Sequence, residues 1–201
     1  MILIGRYRSP FVRRVGVSLN LLGIAFERKD LSTATDREAI LAYNPLGRVP
    51  ALVLDDGEVL IDSTPILDHL DQTAGPARAL VPAAGPERRR ALKLVAFAVG
   101  AMEKAVAAFY ERERRPAEKM HQPWKEHLEG QVMAALEQLD KTATGQWLCG
   151  ERIGQADVSA VCALDFVRRD VPSIKLDGRL PRLAALAERC EALPAFEMAR
   201  A

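Results

Sequence analysis

The hydrophobic pattern changes period along the chain. Ile2-Leu3-Ile4 is a short apolar run closed by Gly5, as a buried strand reads. Val12, Val15, Leu19 and Leu22 then recur at steps of three and four until Gly23, which predicts a helix. Residues 26–31 read as a second strand. Residues 36–43 read as a short polar helix, ended by Asn44-Pro45-Leu46-Gly47. Two further strands, 51–54 and 58–61, flank Asp55-Asp56-Gly57, a strong hairpin signal, and residues 63–72 form a third helix. The predicted order is β-α-β-α-β-β-α, a parallel crossover closed by an antiparallel hairpin, with helices on the faces of one sheet.

Beyond Pro86 only the helical period remains. Leu92, Val95, Val99, Met102, Val106 and Phe109 form one long stripe, and Trp124, Leu128, Val132, Ala135 and Leu139 form a second. Two shorter helices follow, at 157–168 and 180–193. Antiparallel bundle packing is the expectation for such stripes.

Composition sharpens the division. Six of the 31 alanines fall in residues 1–75, against 16 Val, Ile and Thr there and only 13 in the remaining 126 positions. β-branched residues suit a pleated surface and alanine suits a helix, so a mixed α/β part precedes an all-α part. The breaker clusters Thr73-Ala74-Gly75-Pro76 and Val81-Pro82-Ala83-Ala84-Gly85-Pro86 mark the seam. The expected organisation is a first domain at 1–75, a linker at 76–86 and a helical domain at 87–201.

The chain has 201 residues, 49% of them hydrophobic and 27% charged, with a formal net charge of +1. That balance argues against disorder and against a dedicated nucleic-acid binder. Arg88-Arg89-Arg90 and the arginines at 112, 114 and 115 are diluted by Glu87, Glu111 and Glu113, as on a solvated helix face. No run approaches a membrane span, and Met1 to Arg6 lacks the grammar of a signal peptide, so a cytoplasmic location is expected. Cys149, Cys162 and Cys190 make no Cys-x-x-Cys pair, and His69, His121 and His127 make no ligand set, so no metal is expected.

Three short elements carry candidate chemistry. Ser9-Pro10-Phe11-Val12 lies between the first strand and first helix. A helix cap accounts for Ser9 by itself. The same place, with its N–H groups and partial positive charge, also suits a thiolate, to which the hydroxyl would donate. Val49-Pro50 opens the third strand, where proline is tolerated and a cis bond is compatible. Asp62-Ser63 precedes the third helix. Capping explains it, and so does a grip on an amino acid, with Asp62 on the ammonium and Ser63 on the carboxylate.

In that joint order the sequence resembles the soluble glutathione S-transferase superfamily, as a serine-type bacterial member, over essentially its whole length. The matching blocks are Ser9-Pro10-Phe11-Val12-Arg13-Arg14-Val15, Asn44-Pro45-Leu46-Gly47-Arg48-Val49-Pro50-Ala51-Leu52 and Ile61-Asp62-Ser63-Thr64-Pro65-Ile66-Leu67. Residues 150–157, Gly-Glu-Arg-Ile-Gly-Gln-Ala-Asp, resemble the family's capping-box segment. The resemblance implies a thioredoxin-like βαβαββα domain followed by an all-helical one. It implies glutathione as co-substrate, a homodimer, and conjugation to a small hydrophobic electrophile. It assigns Ser9 to the glutathione sulfur, Val49 with a cis Pro50 to the cysteinyl backbone, and Asp62 and Ser63 to the γ-glutamyl end. Arg48 would reach a carboxylate and Phe11 would line the floor of the sulfur site.

Several departures qualify this. Redox-active relatives carry cysteine where this chain has Ser9, so thiol-disulfide exchange is not expected. Many relatives have Glu at Asp62. Gly154 replaces the usual Ser or Thr cap, leaving Asp157 to bond back to the backbone and Ile153 to staple against Val158. Tyr7, near the end of the first strand, is the rival thiol activator. Phe97, Met102, Phe109 and Tyr110 are candidates for an apolar electrophile site, and equally for core. A non-catalytic binding or regulatory protein on the same fold is the alternative function.

Overall fold

A computed structural model describes all residues, 1–201. Four short strands, β1 (Ile2–Ile4), β2 (Glu27–Lys29), β3 (Ala51–Val53) and β4 (Val59–Ile61), form one sheet in the order β2-β1-β3-β4. β1 pairs with β2 in parallel, Leu3 opposite Arg28, and with β3 antiparallel, Leu3 opposite Leu52. The β3–β4 hairpin completes the sheet, Leu52 opposite Leu60. The thioredoxin-like order expected from the sequence is the one observed. β2 forms an edge whose three residues are charged and exposed, a composition that discourages pairing with another strand.

Between the strands run α1 (Pro10–Leu22), α2 (Arg37–Leu41) and α3 (Ser63–Ala74). α1 starts where Ser9 caps it and Pro10 enters without needing an N–H, and it stops at Gly23. α1 and α3 pack on each other and on the sheet, burying Leu3, Val12, Val15, Leu19, Leu52, Ile66 and Leu70.

The chain divides into two compact units, Met1–Ala83 with Glu191–Ala201, and Ala84–Cys190. Two features differ from the division drawn at 75 and 86. First, the segment after Gly75 folds onto the first unit. Asp71 accepts the N–H groups of Leu80 and Val81 at 2.7 and 3.1 Å, and Arg78 donates to the Leu22 carbonyl at 3.2 Å. Second, the last eleven residues group with the first unit, because a one-turn helix, α8 (Pro194–Glu197), packs on α1. Composition reports that a segment is helical and says nothing of what it packs against.

The second unit is all helical: α4 (Gly85–Glu113), a 3-10 turn (Ala117–Lys119), α5 (Gln122–Thr142), α6 (Gln155–Asp170) and α7 (Pro181–Glu191), whose last residue belongs to the first unit. No helix is long and apolar enough to cross a membrane. The buried face of α4 includes Ala91, Leu94, Val95, Ala98, Ala101, Met102, Ala105 and Ala108; of the expected stripe, Val95 and Met102 lie on this face, Val99, Val106 and Phe109 are half-buried at its flank, and Leu92 is exposed. α5 buries Leu128, Val132, Met133, Leu136 and Leu139. Trp124 is exposed, and Lys125 turns inward, its ammonium held by Glu129 and by Ser173 Oγ at 2.9 Å. α6 opens as expected, Gly154 N–H donating to Asp157 Oδ2 at 2.9 Å.

Candidate active site

The sulfur-site candidates start from one glycine. Gly5 ends β1 at φ +127°, and a Cβ there would lie 2.6 Å from Val12 Cγ2 and 3.0 Å from Val49 Cβ. Only a residue without a side chain lets the first turn of α1 and the segment entering β3 close on the same point. Val12, in the turn that Ser9 caps, and Val49 close on the same point this way.

Ser9 is half-buried, with φ −72° and ψ 123°, the extended geometry of an N-cap. Its Oγ accepts from Val12 N–H at 3.4 Å, a long bond. That bond uses an oxygen lone pair and leaves the hydroxyl proton to be donated elsewhere. Phe11, next in the turn, is half-buried. The first turn of a helix adds N–H groups and a partial positive charge to this mouth.

The Val49-Pro50 bond is cis, as the resemblance implied. The loop before it is held by a buried side chain. Asn44 Nδ2 donates to the Arg48 carbonyl at 2.9 Å, and its Oδ1 accepts from Leu46 N–H at 3.0 Å. Asn44 and Gly5 are the residues whose roles sequence reasoning missed. An Asn-Pro-x-Gly turn is the signal for the first, and a strand-ending glycine is the only signal for the second. Arg48 is exposed, on the loop beside Val49.

Asp62 caps α3 with φ +66°, the sole non-glycine residue of the chain in that half of backbone space. Such a conformation costs about 1–3 kcal/mol and concentrates at functional sites. Asp62 Oδ1 accepts from Thr64 N–H at 3.3 Å and from Ser63 Oγ at 3.5 Å. Asp62 is exposed and Ser63 buried, so the carboxylate faces outward from the helix mouth.

Tyr7 takes a different place. A Cβ on Gly16 would lie 2.4 Å from Tyr7 Cε1 and 2.9 Å from its hydroxyl, so the phenol rests against the middle of α1. Seven residues separate Gly16 from Ser9, about 10 Å of helix rise. The Arg28 guanidinium lies 4.3 Å from the ring centroid. Burial pushes the phenol pKa up, and Arg28 opposes it.

In the helical unit Met102 is fully buried, while Phe97, Phe109 and Tyr110 are half-buried. Phe109 packs edge-on to Phe166 at 6.0 Å, and Arg114 lies 4.1 Å from the Tyr110 centroid. No group of His, Cys, Asp and Glu is placed to hold a metal ion, and all three cysteines are free thiols.

Comparison with known proteins agrees with this architecture. The glutathione S-transferase N-terminal domain family matches residues 3–78 and the C-terminal domain family residues 122–189. Maleylacetoacetate isomerase of Pseudomonas aeruginosa is 35% identical over 96% of this chain and 92% of its own length. The uncharacterised GST-like protein YibF of Escherichia coli is 30% identical over 94% of this chain and 92% of its own. A crystal structure of a glutathione transferase family member from Pseudomonas fluorescens with bound glutathione is 32% identical, with a TM-score of 0.86 over 99% of this chain and 98% of that one. Another, from Methylobacterium radiotolerans in complex with glutathione sulfonate, has a TM-score of 0.92 at 25% identity over 98% and 93%. With the fold and both family domains in agreement, the chain belongs to the glutathione S-transferase family.

Proposed function

We propose that this protein is a serine-type glutathione transferase that activates the glutathione thiol as thiolate and delivers it to a small hydrophobic electrophile. The observation that carries the reading is the junction at Gly5, where the first turn of α1, capped by a hydroxyl whose proton is left to donate, closes on Val49. Relatives of the same fold that hold glutathione support it.

In this reading residues 1–75 bind glutathione, joined through residues 76–86 to the helical residues 87–201. Ser9 donates to the sulfur, and the positive end of α1 favours its anion. The Val49 backbone pairs with the cysteinyl residue, Asp62 takes the γ-glutamyl ammonium and Ser63 its carboxylate. Arg48 reaches a carboxylate, and Phe11 lines the floor. The thiol proton leaves to solvent, the sulfur forms a bond to carbon, and the leaving group departs with its electron pair. A homodimer is the assembly this reading carries.

A second reading comes from the maleylacetoacetate isomerase of P. aeruginosa, alike over nearly the whole chain. A thiolate that adds to a conjugated double bond turns it into a single bond, which rotates before the thiolate leaves. The same activated sulfur then gives a net cis–trans isomerisation.

Retention on immobilised glutathione, followed by turnover with an aryl halide of the chlorodinitrobenzene type and with maleylacetoacetate, separates the readings. Conjugation of the aryl halide is the expected result. Isomerisation without conjugation favours the second reading. Retention with no turnover on either substrate identifies a binding protein, and failure to bind glutathione overturns the proposal.

A further inference from the structure

Arg13 is a cation buried to 2% exposure in the second turn of α1. Its own N–H donates to the Ser9 carbonyl at 2.9 Å, so its backbone is tied to the cap residue. Its side chain is committed to the far end of the chain. Nε donates to the Ala199 carbonyl at 3.0 Å, Nη2 donates to Glu191 Oε2 at 2.7 Å, and the guanidinium lies 5.9 Å from the Phe196 centroid. At the opposite end of α1, Asn20 Nδ2 donates to the Ala195 carbonyl at 3.0 Å. Residue 195 is beside 20 and residue 199 beside 13, so the tail runs antiparallel to the helix. Phe196 and Ala199 are fully buried under it.

We propose that residues Glu191–Ala201 clamp α1 and that Arg13 is a positioning residue for Ser9; this rests on the reading of Ser9 as partner of the glutathione sulfur. A guanidinium kept from water is tolerable only while its partners are in place, because losing one partner of a buried ion pair leaves an uncompensated charge. The tail supplies both the carboxylate and the carbonyl. If the tail lifts, Arg13 must seek solvent, and it carries the Ser9–Arg13 turn with it. Seating of Glu191 and Ala199 on Arg13 and the aim of the Ser9 hydroxyl are therefore coupled locally, at this end of α1. Small misplacements at a reacting centre are costly: a shift of about 1 Å can lower a rate by about 100-fold. The tail of the chain is thereby a determinant of turnover, although it holds none of the groups assigned to glutathione.

The test uses the full-length chain with Arg13→Lys and Asn20→Ala. Lysine keeps the charge but lacks the planar fork that serves two acceptors at once. Asn20→Ala loosens the same tail at the end of α1 away from Ser9. Three readouts are followed: the pH titration of bound thiolate by its ultraviolet absorbance, kcat and KM for glutathione, and hydrogen exchange over residues 9–15. For Arg13→Lys we expect a kcat roughly tenfold lower with KM for glutathione within about twofold, a higher apparent thiol pKa, and faster exchange over 9–15. Asn20→Ala is expected to lower the melting temperature and leave the thiolate titration unchanged. A folded Arg13→Lys protein with wild-type kcat and titration overturns the proposal, as does an Asn20→Ala protein that shifts the titration equally. If the wild-type protein holds no thiolate, the functional reading fails by itself. The clamp is then decided by exchange over 9–15, which acceleration in Arg13→Lys supports and an unchanged pattern overturns.

Discussion

Under the proposed function Ser9 carries two hydrogen-bonding roles on one oxygen, and their magnitudes separate them. As a cap it accepts at 3.4 Å, a long bond for which the usual cost of replacement by alanine, about 1 kcal/mol, is an upper bound. In the proposed role of donor to a thiolate it would make a bond to a charged group, worth about 1.5–3 kcal/mol. Ser9→Ala is therefore expected to lower kcat/KM roughly 10- to 100-fold while the melting temperature moves only slightly. Tyr7→Phe should leave kcat/KM within about twofold, because its hydroxyl rests against Gly16 instead of the helix mouth. Steady-state kinetics beside thermal melts decide this, and unchanged turnover in a folded Ser9→Ala protein with collapse in Tyr7→Phe reverses the assignment. At this scale the sequence was legible where a residue's need is local. Serine before proline, valine before proline and aspartate before serine are readable as tokens of helix and strand starts. The need for Gly5 is created by Val12 and Val49, seven and forty-four positions away, and the φ of +66° at Asp62 is invisible in a residue that looks like any cap.

Elements were legible in place and only partly in face. Every strand and helix expected in the first 75 residues is present, with β2, β3, β4 and α2 shorter than expected by one to three residues and α3 longer by two, because short apolar runs and turn residues set them locally. On α4 a stripe of large side chains was the expected core, yet Ala91, Ala98, Ala101, Ala105 and Ala108 face inward, with Leu94, Val95 and Met102. Alanine scores poorly as a hydrophobic anchor, but it lets α4 pack closely on α5 and α6. Overpacking such a face is more damaging than trimming its flank. Ala101→Leu, at a site with no exposure, is expected to cost about 1–3 kcal/mol. Leu92→Ala, at 42% exposure, should stay within about 0.5 kcal/mol. Urea unfolding of the two variants checks the order, and a larger loss at Leu92 would restore the stripe first inferred. Lys125 is the same lesson on α5: a polar residue occupies the inward position because Glu129 and Ser173 hold its ammonium.

For the molecule as a whole, the near-neutral charge that first excluded nucleic acid hides one ionisation with leverage on stability. Asp157 is fully buried at the start of α6, where its carboxyl accepts N–H bonds from Leu148 at 2.8 Å and Gly154 at 2.9 Å. Burial outweighs those bonds and pushes its pKa up to about 6, from 3.8. Between those two values the folded state binds more protons than the unfolded one, so stability falls as pH rises through the window and is regained on acidification. A gap of about two pH units corresponds to about 3 kcal/mol. Asp36 does not blur this window. The Ser32 N–H and Thr35 hydroxyl hold its pKa below the ordinary value, so its contribution is lost only as pH falls further. Denaturant midpoints measured from pH 7 to pH 4.5 should therefore rise. In Asp157→Asn they should be flat, and lower throughout, since the amide nitrogen cannot accept the second N–H. A wild-type protein that instead loses stability across this range would mean that the two N–H bonds outweigh burial, leaving Asp157 charged at the lower pH. The capping segment was readable from Gly154 and Asp157 alone, but the sign of its pH dependence required the loop residue Leu148 and the depth of burial, which no local pattern contains.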